Sequence, residues 1–552
     1  MLRPGPAIIV RGAWAELRGA NVSVLAKCLS VDDPKRFFNQ AFKDGRWDGK
    51  IRLYEGKRFP AGLVGRVVQA YRDEGFDAGV HEPDVPVTDV SRFTPDYFVC
   101  LGPDGDSQLW AHQHRAVLEM LTHRRGIVKS PTASGKTPMI AAVARYLWEE
   151  HGYRTLIVVP KKGLAEQTTR VLRGIYAGDL SVGQCGDGKR ESGAVIVATA
   201  QTLIGFEKRT RRKKVVNPET GKKDMTITEF IPPDELLQDI VHNYEVLILD
   251  ETHHASSETW YTISMASGAV RRYGLSGTPL KDSELLDLRM VGATGQIIYS
   301  VDANELIDLG LAAKPKIAMV VADGASSEEI PDEWVDEKDE ETGEIVPVLQ
   351  PPSYESAYTK GVVFSKPHNT AVVRATMWLV DRGRRTLVLC RRKDHFLDLK
   401  EILSEYLDEE SFACVWGATD VELRLEVKEA LNKSHIKVIL ATTIFDEGED
   451  IPGIEAIVLA EGVKAVTNAI QRIGRGMRMG SDSAKDVWVV DFAPCCNHRL
   501  LRHALKREEA YLSEGYEVQE VTEWPSSDVP ISEYKDDNLL PFLTWETSDS
   551  SE

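Results

Sequence analysis

Residues 125–148 read RGIVKSPTASGKTPMIAAVARYLW. A short apolar run, a loop of small residues and a longer apolar stretch follow one another, which predicts a strand, a tight turn and a helix. Such a turn gathers backbone N–H groups and the positive end of a helix dipole around one point, which suits a nucleotide phosphate. Lys136 would add a point charge and Thr137 a hydroxyl ligand for Mg²⁺. Ser130 stands where the strict phosphate-loop pattern has its first glycine, so a plain turn that opens a helix is the alternative for this segment alone.

Short apolar runs of the same kind recur along the chain, separated by segments of helical length. Runs of four to six residues with this spacing are typical of parallel sheets that helices cover on both faces. One set precedes residue 300 and another follows residue 380, so we expect two successive α/β domains. The first 95 residues lack the alternation and are expected to form a small α+β domain. The runs are RGIVKS, TLIVVP, AVIVAT and YEVLILD, then TLVLC, IKVILAT, IEAIVLA and DVWVVDF.

An acidic strand end supports the phosphate-loop interpretation. The run YEVLIL ends in Asp250-Glu251-Thr252-His253. Acids at the carboxyl end of a parallel strand point into the crevice where such sheets bind ligands. Asp250 could hold Mg²⁺ through water, and Glu251 could orient or deprotonate an attacking water. An exposed acidic strand end is the structural alternative, and the phosphate loop upstream argues against it.

The third element, QRIGRGMR at residues 471–478, falls in the second α/β domain. Arg475 and Arg478 are three residues apart and would share one helix face. Guanidinium groups stabilise the charge of a transferring γ-phosphoryl group, and here hydrolysis would then depend on closure of the two domains. A surface arginine pair is otherwise the commoner case, so the argument rests on the combination of all three elements.

The charge of the chain is unevenly distributed. A net charge of −18 over 552 residues argues at first against a nucleic-acid partner. Residues 326–344 contain ten acids and one lysine, and residues 519–552 contain nine acids and one lysine. These two segments therefore hold nearly all of the net negative charge. Both are rich in polar residues without a helical or strand period, and we expect a solvated loop and a tail. A polyanion responds to the charge near its binding surface rather than to the net charge of the whole chain. Outside these two segments the chain is nearly neutral and contains basic stretches.

Composition excludes several classes of protein. No stretch approaches the roughly 18 to 20 apolar residues of a membrane span, and the N-terminus lacks the pattern of a signal peptide. The seven cysteines form no CxxC pair, which argues against a disulfide framework or a zinc knuckle. We therefore expect a cytoplasmic protein.

Together, SPTASGKT, DETH and QRIGRGMR resemble the DExH branch of the superfamily 2 helicases and translocases. Further segments match in the same order: LWAHQHRAV before the phosphate loop, PKKGL as motif Ia, ATAQT as motif Ib, SGTP as motif III, the segment around His395 as motif IV, and ATT with DEGEDIP as motif V. The N-terminal FKDGRWDGKIRLYEGKRFPAGLVGRVV and the C-terminal NHRLLRHALKREEAYLSEGYEV are similar to the phage UvsW-type branch-migration helicases.

The resemblance implies a set of site residues, with ATP and Mg²⁺ as cofactors. Gln113 matches the glutamine that reads adenine, with Trp110 near the base. The implied catalytic residues are Lys136, Asp250, Glu251, His253, Gln471, Arg475 and Arg478. The implied nucleotide-binding residues are Trp110, Gln113, Ser134, Gly135, Lys136, Thr137, Gly448 and Asp450, with Thr137 and Asp250 on the metal.

The implied DNA track consists mainly of phosphate contacts, which fix position without reading sequence. Its candidates in the motif loops are Lys161, Lys162, Thr199, Arg391, Arg392 and Thr442. The loop 208–223 carries eight cations, including Arg211, Arg212, Lys213 and Lys214, and is either a wedge that grips duplex or a disordered insertion.

In the first domain, Arg46, Lys50 and Arg52 alternate with aromatic residues, as a base-stacking platform would. Since a domain of this size needs most of its rings for a core, we expect each ring to be a core residue, with stacking as the alternative.

The expected architecture is two tandem RecA-like domains after a small α+β domain. The predicted bounds are 1–95 for the nucleic-acid-binding domain, 105–310 and 311–500 for the RecA-like domains, 321–355 for an acidic insertion, 501–518 for a C-terminal helix and 519–552 for an acidic tail.

The resemblance implies a monomeric ATP-dependent DNA helicase or translocase that remodels branched DNA, and that acts in the host cytoplasm if it is encoded by a phage. The acidic tail could recruit a protein partner. An RNA helicase, a duplex translocase that does not unwind, and a scaffold with a structural nucleotide site are the alternatives.

Overall fold

The computed structural model describes residues 2–82, 85–102, 105–131, 134–207, 209–215, 225–279, 283–322, 333–338, 345–350, 352–417, 419, 421–433, 435–442, 453–462, 486–494 and 496–521. The chain divides into two compact units, Met1–Val301 and Asp302–Glu552. Within the described ranges, no helix has both the length and the apolar character that crossing a bilayer requires.

The first unit begins with a four-stranded mixed sheet. In spatial order its strands are Arg58–Pro60, Trp14–Arg18, Arg3–Arg11 and Phe76–His81, and the last two are parallel. The helices of this region are Ser23–Cys28, Gln40–Lys43 and Val64–Asp73. Two shorter strand pairs accompany them, Ser30–Asp32 with Lys50–Arg52 and Val99–Gly102 with Gly105–Gln108. The described residues of the N-terminal region thus form the α+β fold that the sequence predicts.

The rest of the first unit is built on an eight-stranded sheet. In spatial order its strands are Lys189–Arg190, Val182–Gly186, Val195–Thr199, Thr155–Val159, Val246–Asp250, Arg271–Ser276, Arg125–Lys129 and Ile297–Ser300. All neighbours are parallel except the first pair. The helices around it are Ala111–Thr122, Lys136–His151, Lys162–Tyr176, Ala200–Leu203, Glu235–Asn243, Glu258–Ala266 and Glu284–Thr294.

The central strands are apolar on both faces because helices cover the sheet on both sides. Every residue of Thr155–Val159 and Val246–Asp250 is buried. Alternate residues of these strands belong to two different hydrophobic clusters, one around Ile157 and Ile248 and the other around Leu156 and Leu247. Continuous apolar runs are typical of such doubly covered parallel strands.

The N-terminal sheet packs directly against this α/β domain. Leu288, from helix Glu284–Thr294, is part of the N-terminal hydrophobic core. Trp14 Nε1 donates to the carbonyl of Met265 at 3.1 Å, and Arg66 Nη2 lies 2.8 Å from Glu284 Oε1. These contacts join the two regions into one unit.

The basic loop of the first unit contains a β-ribbon. Strand Arg209–Val215 pairs antiparallel with Met225–Ile231, and Arg211 lies opposite Glu229. A disordered insertion is therefore wrong for the described strands, while residues 208 and 216–224 lie outside the described residues.

The second unit contains a seven-stranded parallel sheet. In spatial order its strands are Phe412–Val415, Val438–Ala441, Thr386–Leu389, Ala456–Leu459, Asp486–Pro494, Lys314–Ala322 and Glu517–Val521. Its helices are Ala303–Asp308, Tyr354–Tyr358, Lys366–Asp381, Lys393–Ser404, Val421–Asn432 and His498–Ser513.

Both acidic segments contain a strand that their composition did not predict. Glu333–Lys338, inside the segment 326–344, pairs antiparallel with Ile345–Gln350. Glu517–Val521 forms an edge of the second sheet, so the predicted tail boundary at residue 519 falls inside a strand. The expectation of loop and tail is wrong for these strands, because backbone pairing with a neighbour outweighs their unfavourable charge. Residues 522–552 lie outside the described residues.

The two parallel sheets and the N-terminal α+β region confirm the predicted α/β fold class, with tandem RecA-like domains. The other domain bounds stay predictions.

Candidate active site

The phosphate loop connects strand Arg125–Lys129 to helix Lys136–His151, as the sequence predicts. Ser130 and Ser134 are fully buried, and their hydroxyl groups are hydrogen-bonded to each other. Ser134 Oγ also donates to the carbonyl of Pro131 at 2.6 Å. These bonds hold the loop from inside the protein, just before the start of the helix.

Gly135 is required by both its backbone and its surroundings. It precedes the helix at φ +72° and ψ +55°, the left-handed region in which residues with a Cβ are strained. A Cβ there would lie 2.3 Å from Gln113 Nε2. The sequence motif therefore has a glycine where the turn needs one.

Gln113 and Trp110 lie beside this loop, at the start of helix Ala111–Thr122. Gln113 Nε2 donates to the carbonyl of Ser134 at 2.9 Å, and its Oε1 accepts from the backbone N–H of Trp110 at 2.9 Å. The buried His112 also donates to the Ser134 carbonyl, at 2.9 Å. Sequence reasoning missed His112, and no pattern around it could have pointed to this contact.

The acidic strand end meets the phosphate loop. Lys136 Nζ lies 2.7 Å from Glu251 Oε1, and their side chains are 10% and 16% exposed. Asp250 is buried next to them, and burial raises its pKa to about 6, against the lowering effect of the Lys136 ammonium and with a further raising effect of the Glu251 carboxylate. The structure thus brings together three of the predicted catalytic side chains.

Glu251 has a backbone conformation that is rare for a residue with a side chain, at φ +53° and ψ +56°. Such strain is tolerated where the surroundings enforce it, and it is concentrated at functional sites. Its Oε2 lies 3.5 Å from His253 Nδ1, and His253 Nδ1 lies 3.1 Å from Ser276 Oγ. His253 and Ser276 therefore lie next to the Glu251 carboxylate, on the side of its Oε2 atom.

These residues fit a nucleotide with its Mg²⁺. They offer backbone N–H groups at a helix start, the Lys136 ammonium, the Thr137 hydroxyl and the Asp250 carboxylate. Among the described residues, no group of three or more His, Cys, Asp and Glu side chains could hold a metal by itself. Mg²⁺ takes one or two protein carboxylates and otherwise water and substrate phosphates.

The predicted strand contacts of the first unit differ in accessibility. Lys161 and Lys162 are exposed at the start of helix Lys162–Tyr176, and Lys162 Nζ lies 3.0 Å from Asp187 Oδ1. Thr199, in contrast, is 1% exposed, and its hydroxyl lies 3.0 Å from that of Thr202. The two lysines are therefore at the surface, where a phosphate could approach them, whereas the Thr199 hydroxyl is buried.

The predicted N-terminal cations lie on an exposed surface. Arg46 forms an ion pair with Asp44, and Arg52 forms one with Asp48, both at 2.5 Å, while Lys50 is exposed. Exposed pairs contribute little to stability, so these arginines can exchange partners at small cost.

The core interpretation of the aromatic residues is wrong for two of them. Phe37 is 62% exposed and Phe38 is 87% exposed. Sequence reasoning could not separate these rings from core rings, because their exposure depends on how residues 30–52 project from the domain.

The predicted DNA contacts of the second unit also differ in accessibility. Arg391 is exposed, whereas Arg392 Nη1 donates to Thr359 Oγ1 at 2.7 Å and lies 3.1 Å from Glu355 Oε1. Thr442 is 8% exposed.

His395 is fully buried, and its Nε2 lies 2.9 Å from Asn369 Oδ1. Burial lowers the pKa of His395 to about 3, so it is neutral and structural.

Five predicted residues lie outside the described residues: Gly448, Asp450, Gln471, Arg475 and Arg478. Their roles stay predictions.

Comparison with known proteins agrees with the site. Residues 106–281 match the family model of the type III restriction enzyme res subunit, and residues 369–480 match that of the helicase conserved C-terminal domain. The ATP-dependent DNA helicase uvsW of Enterobacteria phage T4 is 25% identical over 507 residues, which cover 87% of this chain and 91% of the phage protein. The DNA 3'-5' translocase XPB2 of Sulfurisphaera tokodaii is 22% identical over 413 residues, 69% of this chain and 81% of the archaeal protein.

Among solved structures, the ATP-dependent type ISP restriction-modification enzyme LlaBIII bound to DNA shares the fold. It is 13% identical, with a TM-score of 0.50 over 85% of this chain and 36% of that enzyme. The phosphate loop, the acidic strand end, the two parallel sheets and both family models agree. The chain resembles the phage UvsW-type enzymes and belongs to superfamily 2, the ATP-dependent helicases.

Proposed function

We propose that this chain is an ATP-dependent DNA helicase that moves along one strand and remodels branched DNA. The observation that carries the proposal is the meeting of Lys136, Asp250 and Glu251 at the start of helix Lys136–His151. An ammonium, a buried carboxylate and a second carboxylate at a helix N-terminus are the groups that phosphoryl transfer uses. The DNA specificity is supported by the relatives whose names describe DNA helicases and a DNA 3'-5' translocase.

Each residue of the site has a proposed part. Lys136 and the backbone N–H groups after Gly135 would bind the phosphates, and Thr137 and Asp250 would hold Mg²⁺. Bound Mg²⁺ would neutralise charge that develops on the phosphate oxygens. Glu251 would orient the attacking water and accept its proton, and His253 with Ser276 would keep Glu251 in place. We propose that Arg475 and Arg478 add positive charge to the γ-phosphoryl group, with Gln471 beside them.

The proposal also covers the partners. The protein would act as a monomer in the cytoplasm, bind DNA through Lys161, Lys162 and Arg391 with little sequence preference, and use its acidic tail for a protein partner. Contacts with phosphates make affinity fall steeply with salt.

The test is ATP turnover with single-stranded DNA, duplex, a fork, a four-way junction and RNA. We expect the greatest stimulation with branched or single-stranded DNA. Glu251→Gln should lower the stimulated rate by at least about 100-fold, since it removes the proposed base. Glu258→Gln, an exposed acid seven residues away in sequence, is the matched control and should leave the rate unchanged.

Each alternative predicts a different result in this experiment. Greater stimulation by RNA would indicate an RNA helicase. Stimulation by duplex without strand separation of a fork would indicate a duplex translocase. If no polynucleotide changes the rate, the motor function is wrong and a scaffold with a structural nucleotide site remains.

A further inference from the structure

The carbonyl oxygen of Ser134, directly before Gly135 in the phosphate loop, receives two side-chain donors. Nε2 of His112 and Nε2 of Gln113 both lie 2.9 Å from it. The helix that follows cannot supply the usual donor four residues further on, because Pro138 has no N–H group. Since Ser134, His112 and Gln113 are all buried, these hydrogen bonds are shielded from solvent.

The side-chain amide of Gln113 is engaged inside the protein. Its Oε1 accepts from the Trp110 backbone N–H at 2.9 Å, and its Nε2 lies 3.4 Å from the Gly135 carbonyl as well as 2.9 Å from that of Ser134. Both Nε2 hydrogens are therefore directed at the phosphate loop. An amide that pairs with the edge of adenine donates to N7 and accepts from the N6 amino group. If Gln113 reads the base, as the resemblance implies, it must release at least one of its bonds to the loop.

His112 is placed to keep the Ser134 carbonyl bonded while Gln113 changes its partner. A carbonyl oxygen only accepts, so His112 carries a proton on Nε2. The His112 ring is completely buried, and its centroid lies 5.7 Å from that of the Trp110 ring. A ring packed in this way has little freedom to rotate. The His112 donor is therefore fixed, whereas the Gln113 amide can rotate about its own side-chain bonds.

The second donor changes the free energy that is needed to read the base. A buried carbonyl that loses its hydrogen-bond donor carries a desolvation penalty. With His112 present, a Gln113 amide that turns toward the base leaves the Ser134 carbonyl paired. Without the His112 donor, the same turn would leave this carbonyl unpaired, two residues before Lys136. Gln113 would then be retained on the loop, and the base would be read less often.

A role in base reading and a role in shaping the phosphate loop have different consequences for nucleotide binding. If His112 only shaped the loop, its loss would weaken every nucleotide alike, because the loop would contact phosphates that all nucleotides share. A role in base reading changes the ratio between nucleotides instead. Guanine keeps N7 but has a carbonyl oxygen where adenine has its amino group, so an amide placed for adenine would face a second acceptor. The ratio of adenine to guanine nucleotide affinity therefore separates the two roles.

On the basis of the proposed function, we propose that His112 is a positioning residue for nucleotide selectivity, which holds the Ser134 carbonyl so that the Gln113 amide is available to adenine. The phosphate loop thereby keeps the same conformation whether or not the base is read. The resemblance gives Gln113 the hydrogen bonds to adenine, and the part of His112 follows from the carbonyl that the two side chains share.

The test measures the dissociation constants of Mg-ADP and Mg-GDP for His112→Phe and His112→Gln in the full chain, without DNA. We expect His112→Phe to lower the preference for ADP over GDP by about 5-fold or more, the fold-change that corresponds to one buried carbonyl left unpaired. GDP binding should stay nearly unchanged, because guanine does not draw Gln113 away from the loop. His112→Gln should retain the preference of the parent protein, since its amide can donate to the same carbonyl. In ATP turnover, the effect of His112→Phe should appear in KM rather than in kcat.

His114→Phe is the matched control, because His114 Nε2 lies 3.1 Å from the Phe93 carbonyl, a contact of the same kind on the same helix but outside the phosphate loop. It should bind both nucleotides as the parent protein does. Gln113→Ala should lose the preference for ADP. Adding His112→Phe to it should weaken ADP and GDP equally, because the Ser134 carbonyl then has neither of its two side-chain donors.

The inference is overturned if His112→Phe keeps the preference of the parent protein, if it weakens both nucleotides by the same factor, or if His112→Gln behaves like His112→Phe. A parent protein that does not prefer ADP would also overturn it. A parent protein that prefers ADP, but whose turnover no polynucleotide stimulates, would refute the proposed function and leave this inference standing.

Discussion

Asp491→Asn should destabilise the second unit severely, because Asp491 and Arg507 form a fully buried ion pair. Both side chains are 0% exposed, and Arg507 Nε lies 2.7 Å from Asp491 Oδ2. Asp491 also accepts from Arg507 Nη2 at 3.0 Å and from the Tyr511 hydroxyl at 2.9 Å. The pair joins strand Asp486–Pro494 to helix His498–Ser513.

The expected cost follows from burial. The substitution removes the negative charge that faces Arg507 and leaves a guanidinium group in a low-dielectric interior. Removing one member of a buried pair costs about 3–5 kcal/mol. That free energy corresponds to a loss of about 100- to 4,000-fold in the equilibrium constant for closing the local structure.

Native-state hydrogen exchange measures this cost segment by segment, without requiring the whole chain to unfold in one step. We expect the loss of protection in Asp486–Pro494 and His498–Ser513. Lys314→Met is the matched control, since the Lys314–Glu517 pair lies on the same sheet but is 49% and 38% exposed. Its cost should be about 0–1 kcal/mol.

A double substitution separates charge from packing. Asp491→Leu with Arg507→Met replaces the pair by apolar side chains and should cost less than either single change, because no lone charge stays buried. Protection in Asp491→Asn equal to that of the parent would refute the reasoning, and so would a double variant whose loss is the sum of the two single losses.

Two further predictions concern the N-terminal contact and the second core. Gly62→Ala should lower the protection of helix Glu284–Thr294 against hydrogen exchange by about 1–3 kcal/mol, because the added methyl group overpacks against the Val291 carbonyl. Gly174 has open space around it, so Gly174→Ala should leave this protection unchanged. Burial lowers the pKa of His368 to about 4 and that of His395 to about 3, below the roughly 6.5 of an unfolded histidine. The contribution of these two neutral histidines to the free energy of unfolding is therefore complete above pH 6.5. It is lost as the pH falls toward 4. Urea unfolding of the full chain should therefore show about 3 kcal/mol less stability at pH 5.5 than at pH 8. His395→Gln should roughly halve this difference. A difference that does not depend on either histidine would contradict this cause.

The sequence predicts the two parallel sheets well because a strand buried on both faces must be apolar throughout. Thr155–Val159 and Val246–Asp250 are examples, and the carboxyl end of the second one fixes where Asp250 and Glu251 lie. The phosphate loop is predictable for a similar reason, since its turn requires Gly135 at a positive φ.

Elements that depend on a partner strand were not predictable. Glu333–Lys338 is acidic and has no apolar alternation, yet it pairs with Ile345–Gln350. Glu517–Val521 becomes a strand through pairing with Lys314–Ala322, about 200 residues away in the chain. In both cases the strand forms because its backbone hydrogen-bonds to a neighbouring strand. These bonds do not depend on the side chains, so the sequence pattern does not predict them.

Ser276 shows how the departure at Ser130 is tolerated and how the loops of the site are connected. The described residues other than glycine with positive φ are Ala177, Asp187 and Glu251, so Ser130 has an ordinary backbone that needs no glycine. Its N–H donates to the carbonyl of Ser276 at 2.9 Å, while Ser276 Oγ lies 3.5 Å from Glu251 Oε2. Ser276 thus contacts both the start of the phosphate loop and the Glu251 carboxylate.

This connection continues toward the N-terminal region. The Ser276–Pro279 segment precedes helix Glu284–Thr294, whose Val291 carbonyl fits against Gly62 without spare room. Interiors this closely packed leave no space for one element to slide along another, so we expect helix Glu284–Thr294 and the turn that contains Gly62 to move together.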